Sequence, residues 1–506
     1  MNQERQVGPV AAQPNVVVVL ADDLGWGDLS CYGAERIHTP SLDKLAEGGV
    51  RFTDAHASSA VCTPSRYSLM TGQYPWRSPL KSGVLGGLDP AIIGPGAQTL
   101  ARDFQQEGYA TGAFGKWHLG LNWSNLDGYR RDAFEPGFAA QMQGNGREID
   151  YQVPFTGGPV DLGFERYFGI AGSLDMPPYC FLEQDRATGL PLEEKLDLVT
   201  SQRPGLQSPG WQDDAVDTTV VARASDWIRQ QRQGTKPFLA YVATAAPHRP
   251  CVPPEFIQGS SQAGPRGDGV VLVDWMVGQL LEALGDDLAN TIFVFTSDNG
   301  APTMFPEDGD VLVHRPNGPW RGQKADAWEA GHRVPLIVAG PGITEGAVSA
   351  QLVSLMDLRA TLAQLTHAKG VLAAADAERR GDGVSFAPAL LAPATEPGSA
   401  EPGGADSGPG GGPGVDRESG RVLGHQAYDG TLVLRSGLGK AIFGTGSGGF
   451  SEPVGAPDDT GHGPGQFYDL ARDPAETTNL WPANAGTAAA MIDTFERSTG
   501  FKRGTR

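Results

Sequence analysis

NVVVVLADDLGWGD, residues 15–28, is the stretch that decides the fold class of this chain. It is an apolar, β-branched run that ends in acidic residues and glycine. NTIFVFTSDNG, residues 290–300, repeats the same plan much later in the chain. Unbroken apolar runs of this kind are typical of strands that are covered on both faces, as in parallel α/β sheets.

The segments around these two runs alternate between helical and extended patterns. Residues 99–120 and 224–248 each indicate a helix, a turn and a strand, and VPLIV at residues 334–338 indicates a further strand. A helical pattern before residue 290 ends at Gly285, a residue type that often terminates helices. The sequence therefore predicts an α/β fold in which a mostly parallel central sheet is flanked by helices and binds ligands at the carboxyl ends of its strands.

Composition divides the chain into three parts. Residues 14–390 carry the α/β pattern, and residues 391–420 are rich in Pro and Gly and too poor in apolar residues to fold, so we expect a disordered linker or loop. Residues 421–506 show short strand signals and a last helix, which predicts a smaller antiparallel α+β subdomain. Segments 122–160 and 183–212 are polar insertions that could wall a substrate cleft.

Charge and hydropathy exclude several classes of function. A net charge of -20 opposes general binding to nucleic acid or to anionic membranes. No apolar run approaches the roughly 18–20 residues that cross a bilayer. The polar start MNQERQVGPVAAQ lacks the zones of a secretory signal, which predicts a cytoplasmic protein, or a periplasmic or secreted one if Met1 is not the true start. Four cysteines in 506 residues do not make a disulfide framework.

Polar side chains follow both apolar runs. Asp22 and Asp23 end the first run, and Asp298 and Asn299 end the second. Three carboxylates and an amide oxygen at one sheet edge would suit a hard divalent cation, Ca²⁺ before Mg²⁺. The alternative is that both pairs simply stabilise the turns after the strands, where Asp and Asn are common.

Cys62 lies in the run CTPSR, where Thr63 can cap a helix that ends at Gly72. A residue just before a helix N-terminus faces unpaired N–H groups, which attract an anion, and Arg66 adds a positive charge one turn later. A lone cysteine is more often a small buried hydrophobe. A tyrosine phosphatase loop is excluded because the sixth position after the cysteine is Ser68, and no local signature supports a thiolate with a histidine base.

CTPSR followed by YSLMTGQYP resembles the signature of the type I sulfatases, in which the cysteine of C-x-P-S-R is converted to formylglycine. Further blocks resemble this family in order and spacing across residues 15–480: PNVVVVLADDLGWGDLSCYG, HTPSLDKLAEGGVRFTDAHA, GKWHLG, APHRP, TSDNG, RGQKADAWEAGHRVPLIVAGPG and FYDLARDPAETTNL. The resemblance implies an alkaline-phosphatase-like fold and the hydrolysis of aryl or carbohydrate sulfate esters. It also implies a formylglycine-generating enzyme as the partner in maturation.

The resemblance further implies roles for individual residues. One calcium ion would be held by Asp22, Asp23, Asp298, Asn299 and the modified Cys62. Arg66, Lys116, His118, His248 and Lys324 would be catalytic. Among these, Lys116 and His118 would contact the formylglycine, whereas His248 and Lys324 would bind sulfate and assist the leaving alcohol. Because Lys116 and His118 stand two apart, we expect both side chains to point the same way on an extended segment.

Two further residues receive an interpretation, and two other functions stay open. His332 is interpreted as a surface histidine rather than a substrate contact, and Ser173 as a possible match to a serine near the metal site of arylsulfatases. The remaining histidines are assigned structural roles: His38, His56, His314, His367, His425 and His462. The alternative enzyme is a phosphonate monoester or phosphodiester hydrolase of the same superfamily. The alternative outside catalysis is a binding protein in which Cys62 stays unmodified.

Overall fold

A computed structural model describes residues 13–130, 132–135, 138–140, 144–199, 201–305, 313–366, 381–391, 421–458 and 463–502. The predicted linker, residues 391–420, lies outside these ranges apart from Leu391, which ends a short helix. The strands are β1 (Asn15–Ala21), β2 (Gly49–Phe52), β3 (Ala55–His56), β4 (Ala110–Lys116), β5 (Arg166–Ile170), β6 (Leu182–Glu183), β7 (Arg186–Ala187), β8 (Glu193–Glu194), β9 (Leu206–Gln207), β10 (Phe238–Ala243), β11 (Thr291–Ser297), β12 (Leu336–Ala339), β13 (Ala347–Ser349), β14 (Val353–Ser354), β15 (Leu423–Gln426), β16 (Leu432–Ser436), β17 (Gly439–Ile442) and β18 (Gln466–Asp469). The α-helices are α1 (Pro40–Glu47), α2 (Cys62–Thr71), α3 (Leu100–Gln106), α4 (Val216–Gln231), α5 (Gly264–Leu284), α6 (Glu329–His332), α7 (Leu358–Leu365), α8 (Ala387–Leu391) and α9 (Trp481–Thr499).

One large sheet organises the main part of the chain, with the strand order β13-β2-β12-β11-β1-β10-β4-β5-β6-β7. The inner strands from β11 to β5 are all parallel, and in their register Val17 of β1 lies opposite Ala240 and Phe293. Next to them, β12 and β2 on one side and β6 and β7 on the other pair antiparallel. The predicted mostly parallel central sheet is confirmed.

The position of β1 in the middle of the sheet explains why its sequence does not alternate between apolar and polar residues. Val16 and Val18 belong to the core on one face of the sheet, whereas Val17 and Val19 belong to the core on the other. Helices α2, α3, α7 and α8 contribute to the first core, and α1, α4 and α5 contribute to the second. Since successive side chains of a strand point to opposite faces, a strand between two helix layers is apolar throughout.

The C-terminal part is a separate antiparallel sheet, as predicted. Strands β15, β16, β17 and β18 pair in sequence order, and Phe495 and Met491 of α9 pack on apolar residues of this sheet such as Leu434. Tyr74 and Met356 of the main part share the same core, so the C-terminal sheet packs directly on the α/β part. Throughout the described ranges, the helices are all too short or too polar to cross a membrane.

A cluster of buried charged residues and histidines also joins the two parts, and we call it the interface cluster. Its centre is Glu329 in α6, which is paired with Arg435 of β16 at 2.8 Å and with Lys440 of β17 at 3.0 Å. His332 stacks on His425 with ring centroids 4.3 Å apart. The cluster consists of Asp54, His56, Glu329, His332, Arg333, His425, Arg435, Lys440 and Glu476, which are all buried.

Candidate active site

The predicted metal ligands lie together at the carboxyl edge of the parallel strands. Asp22 and Asp23 follow β1, and Asp298 and Asn299 follow the adjacent β11. The Asp23 amide donates to Asp298 Oδ1 at 3.2 Å, and Asn299 Nδ2 donates to Asp23 Oδ1 at 2.7 Å. Parallel pairing of two strands that end in the same way thus converts residues 275 positions apart into one polar cluster.

The donor atoms of this cluster fit a divalent cation. Asp22 Oδ1 and Asn299 Oδ1 are buried and, within the part of the chain that the structure describes, accept no hydrogen bond. Ligand atoms of Asp22, Asp23, Cys62 and His248 all lie within 4.8 Å of one another. Leaving buried oxygens unpaired is costly, and oxygen-rich sites suit a hard ion such as calcium. The residues therefore fit the ion that the sequence predicts.

Cys62 is the first residue of α2, which corrects one detail of the sequence interpretation. The N-cap is Val61, so Thr63 does not cap the helix; its hydroxyl accepts a hydrogen bond from the Leu85 amide at 3.2 Å. The helix does end at Gly72, whose φ of 69° lies in the left-handed region that glycine adopts without strain. Cys62 is 1% exposed, and burial raises the pKa of its thiol to about 12. A neutral, buried thiol does not support a thiolate nucleophile.

Three cationic side chains neutralise the three carboxylates of the edge. Burial alone would raise the pKa of Asp22, but the positive charge of Lys116, with that of His248 and Arg66, holds it well below its usual value. The close pairs are Lys116 Nζ with Asp22 Oδ2 at 2.5 Å, Lys324 Nζ with Asp23 Oδ2 at 2.7 Å, and Arg66 Nε with Asp298 Oδ2 at 2.9 Å. The edge is therefore close to electrically neutral in an otherwise acidic protein, so an anionic substrate meets no net negative charge there.

His118 reaches the site by a route that differs from the prediction. Its backbone φ is 56°, so the chain turns into the left-handed region after β4 and is not extended from Lys116 onward. His118 Nε2 donates to the Leu85 carbonyl at 2.8 Å, and Nδ1 is buried without a partner among the described residues. Burial and the charges of Lys116 and Arg66 hold the pKa of His118 well below its usual value. The ring is therefore neutral, with an Nδ1 lone pair that can accept a proton.

His248 presents its other nitrogen to the cluster. Its Nδ1 donates to the Arg249 carbonyl at 2.6 Å, and its Nε2 lies 3.5 Å from Asp23 Oδ2. His118, His248 and Lys324 line, together with Cys62, a cavity of about 290 Å³ that we call the Cys62 cleft. A larger cavity of about 830 Å³ is lined by Thr291, at the amino end of β11, and therefore lies on the side of the sheet away from this chemistry.

Asp217 is a site-supporting residue that the sequence analysis missed. It lies in the first turn of α4, and its two carboxylate oxygens accept from the amides of Ala245 and Ala246, each at 2.8 Å. These amides lie just before His248, so Asp217 positions the loop that carries the histidine. A single Asp near a helix start gives no sequence signal of this role, because acidic residues are common there.

Asp326 has a similar role for Lys324. Its Oδ1 accepts from the amides of Phe450 at 2.8 Å and Ser451 at 3.1 Å, which ties the Lys324 loop to the C-terminal part of the chain. Phe450 also lines the Cys62 cleft. The C-terminal part thus contributes both a wall of the cleft and support for one of its cations.

The interpretation of His332 as a surface residue is wrong. Its exposure is 1%, it belongs to the interface cluster, and it does not line the Cys62 cleft. Ser173 does lie in the wall of the cleft. Of the other histidines, His314 pairs with Asp28 at 2.8 Å. His56 and His425 belong to the interface cluster, His38 is exposed, and His367 and His462 lie outside the described residues.

Known proteins resemble this chain in sequence and in fold. The family model for sulfatases matches residues 14–368. N-acetylgalactosamine-6-O-sulfatase of Bacteroides thetaiotaomicron is 34% identical over 72% of this chain and 74% of the relative, and human arylsulfatase A is 31% identical over 96% and 87%. A solved structure described under the metabolism of multiple glycosaminoglycans by Bacteroides thetaiotaomicron has a TM-score of 0.77 and 27% identity, covering 97% of this chain and 100% of that one.

Proposed function

The chain belongs to the sulfatase family and is a sulfuric ester hydrolase. We propose that its nucleophile is a formylglycine made from Cys62, which acts beside one bound calcium ion. The observation that carries the proposal is the position of Cys62. It begins a helix and lines a cleft together with the carboxylate of Asp23, the lysine Lys324 and two histidines, His118 and His248. A cysteine that served only packing would have no need of these charges around it.

Asp22, Asp23, Asp298 and Asn299 would hold the calcium ion, with the modified Cys62 completing its ligands. When bound, the ion would polarise a sulfate oxygen and make the sulfur more electrophilic. Asp22 Oδ1, which has only a 3.4 Å ion pair with Arg66, and Asn299 Oδ1 support this assignment, since both are buried oxygens without a hydrogen bond among the described residues.

We propose that the aldehyde of the modified Cys62 reacts as its hydrate. One hydroxyl gives up its proton to water as its oxygen attacks sulfur, the bond from sulfur to the ester oxygen breaks, and the departing alcohol takes a proton from His248 Nε2, which water then restores. His248 Nε2 faces Asp23 Oδ2 at 3.5 Å. Lys116 and Lys324 bind the sulfate oxygens, and their charges stabilise the transition state.

The second hydroxyl then releases sulfate. It gives its proton to His118 Nδ1, the bond between carbon and the sulfate oxygen breaks, and the aldehyde is restored for hydration by water. The unpartnered Nδ1 of His118 supports this role. A plain serine or cysteine could not expel sulfate in this way, because it has no second hydroxyl on the same carbon.

Maturation would then depend on a formylglycine-generating enzyme. Because Cys62 is 1% exposed, we propose that the conversion takes place before the main part of the chain has folded. The experiment is mass spectrometry of the tryptic peptide of residues 52–66 after co-expression with such an enzyme. Formylglycine makes this peptide lighter than the thiol form and resistant to thiol alkylation.

Activity of the same samples completes the test. We expect hydrolysis of 4-nitrophenyl sulfate to follow the converted fraction, and Cys62→Ala to lose several orders of magnitude in rate, as removal of a nucleophile does in other hydrolases. Calcium should co-purify in about equal amount and chelation should abolish turnover. Full activity of Cys62→Ala would falsify the mechanism, and faster cleavage of 4-nitrophenyl phosphate or phosphonate esters would favour the phosphorus hydrolase instead.

A further inference from the structure

The wall of the Cys62 cleft carries a carboxylate that the mechanism does not use. Asp175 follows β5, lines the cleft that also contains Cys62 and His248, and is 8% exposed. It lies outside the group of residues whose ligand atoms converge on the predicted cation. Its position beside the reacting centre therefore calls for a separate explanation.

Only half of the Asp175 carboxylate has a partner. Oδ2 accepts from Arg203 Nη1 at 2.9 Å, and the Asp175 carbonyl accepts from the Arg203 amide, also at 2.9 Å. Oδ1 is buried and has no hydrogen-bond partner within the described ranges. Buried carboxylate oxygens are nearly always satisfied, so an unpaired one in a ligand cleft marks a place for a donor that the ligand supplies.

Charge and chemistry limit what this donor can be. A carboxylate accepts hydrogen bonds and cannot donate them, so neither the sulfate oxygens nor the ester oxygen of the substrate can pair with Oδ1. A hydroxyl or an N–H group of the alcohol part can. Arg203 balances the charge of Asp175, which reduces the repulsion that a free carboxylate would exert on an anionic ester.

The wall of the cleft beside Asp175 contains a second unpaired polar atom. Ser173 Oγ is also buried and unpartnered in the described part of the chain, and it too lines the cleft. Tyr428 and Phe450, whose rings are 5.7 Å apart, add apolar surface. The cleft of about 290 Å³ thus combines aromatic walls with two unpaired polar atoms in its lining residues, and its volume lies just below the range of ligand pockets, about 300–1,000 Å³.

We infer that Asp175, held by Arg203, determines specificity by accepting a hydrogen bond from a hydroxyl or amide N–H group of the alcohol part of the ester. The preferred substrate is then the sulfate ester of a small polyhydroxylated ring, a monosaccharide or a chain end, rather than an aryl or steroid sulfate without such a donor. This inference rests on the proposed function, because it takes Cys62 as the reacting centre.

The test compares two substrates across matched variants. Substrates are N-acetylgalactosamine 6-sulfate, which carries donors, and 4-nitrophenyl sulfate, which carries none. For Asp175→Ala we expect kcat/KM on the sugar sulfate to fall about 10- to 100-fold, the usual effect of losing a hydrogen bond to a charged group, with less than about a threefold change on the aryl sulfate. Asp175→Asn keeps the side-chain volume and should show the same selective loss.

Asp213→Asn is the control. It removes the Asp213 partner of Lys195, a 2.8 Å pair in the same part of the chain, and Asp213 does not line the Cys62 cleft. We expect no change in the ratio of the two kcat/KM values. Hexose 6-sulfates that lack one hydroxyl at a time identify the donor, because the critical deoxy sugar should be cleaved equally by wild type and Asp175→Ala.

Several outcomes would overturn the inference. These are equal losses on both substrates, no loss on the sugar sulfate, or a wild-type enzyme that cleaves the aryl sulfate but no sugar sulfate. Thermal unfolding of Asp175→Asn shows whether an equal loss reflects misfolding, in which case the deoxy-sugar series on the wild type decides. Failure of the proposed function is distinct, because it appears as an unmodified Cys62 peptide and no aryl sulfate turnover in the wild type.

Discussion

Glu329→Gln is the substitution that most directly tests how the C-terminal part is held. The wild-type carboxylate accepts from Arg435 Nη1 at 2.8 Å, Arg333 Nη1 at 2.9 Å and Lys440 Nζ at 3.0 Å, and it is fully buried. Glutamine has nearly the same shape but no charge, and it places an NH₂ group against at least one of these cations. Arg435, Arg333 and Lys440 would then share fewer negative charges in a site that water does not reach.

The expected loss of stability depends on the ion pairs that remain in the variant. Asp54 still pairs with Arg333 at 3.0 Å and with Arg435 at 3.2 Å, and Glu476 still pairs with Lys440 at 2.8 Å, so the three contacts are not lost additively. Breaking a buried ion pair by removing one partner costs about 3–5 kcal/mol, and we expect the unfolding free energy of Glu329→Gln to fall by this amount.

Urea unfolding followed by tryptophan fluorescence measures the change. The control is Asp226→Asn, which makes the same carboxylate-to-amide change in an exposed pair with Arg229 and should cost less than about 1 kcal/mol. Burial raises the pKa of Glu329, but Arg435 and Lys440 outweigh it and hold the pKa well below 4.5. Its stabilisation is therefore present above about pH 4.5 and fades as the pH falls toward the folded-state value, so the difference between wild type and variant should narrow there. Equal urea midpoints at pH 7 would refute the reasoning.

Two further predictions concern acid stability and the His248 loop. Burial lowers the pKa values of the three histidines of the interface cluster below 6.5, so they stay neutral when folded and take up protons on unfolding. The free energy of unfolding should therefore drop as the pH falls below 6.5, by up to about 4 kcal/mol per pH unit for three such groups. His332→Gln removes one of the three histidines and should reduce that slope by about a third. An unchanged slope in this variant would contradict the reasoning. Asp217→Ala leaves the amides of Ala245 and Ala246 without their acceptor, and kcat/KM should fall about 10- to 100-fold. The loss should grow for esters with poorer leaving alcohols, which depend more on the proton from His248, and a loss independent of the leaving group would indicate general misfolding.

Much of the site could be predicted from local sequence. The apolar run of β1 reports burial on both faces, because every residue of a strand between two helix layers must be apolar. A polar pair directly after such a strand must lie at the carboxyl edge of the sheet, and this placed Asp22 and Asp298 without knowledge of the fold. Gly72 and Gly285 marked helix ends for similarly local reasons.

Tertiary structure alone decided which of these edges meet and what surrounds them. The order β11-β1-β10-β4 depends on pairing between segments far apart in sequence, and hydrophobic periodicity contains no information about it. Histidine is often a surface residue, yet His332 is buried because His56 and His425, which belong to strands distant in the sequence, pack against it. The left-handed backbone at His118, with φ of 56°, was likewise not predicted from the sequence.

The Cys62 cleft also combines features that the sequence predicted with features that only the tertiary structure showed. CTPSR marked Cys62 because the residues that define the motif are adjacent in the chain. Asp175 gave no sequence signal, since its proposed role depends on Arg203 as the partner of one oxygen and on the other oxygen staying unpaired in the wall of the Cys62 cleft. The sequence by itself therefore marked the residue proposed to react, whereas only the packing of distant segments brought Asp175 and Arg203 together in the wall beside it, because these contacts join residues that are far apart in the chain.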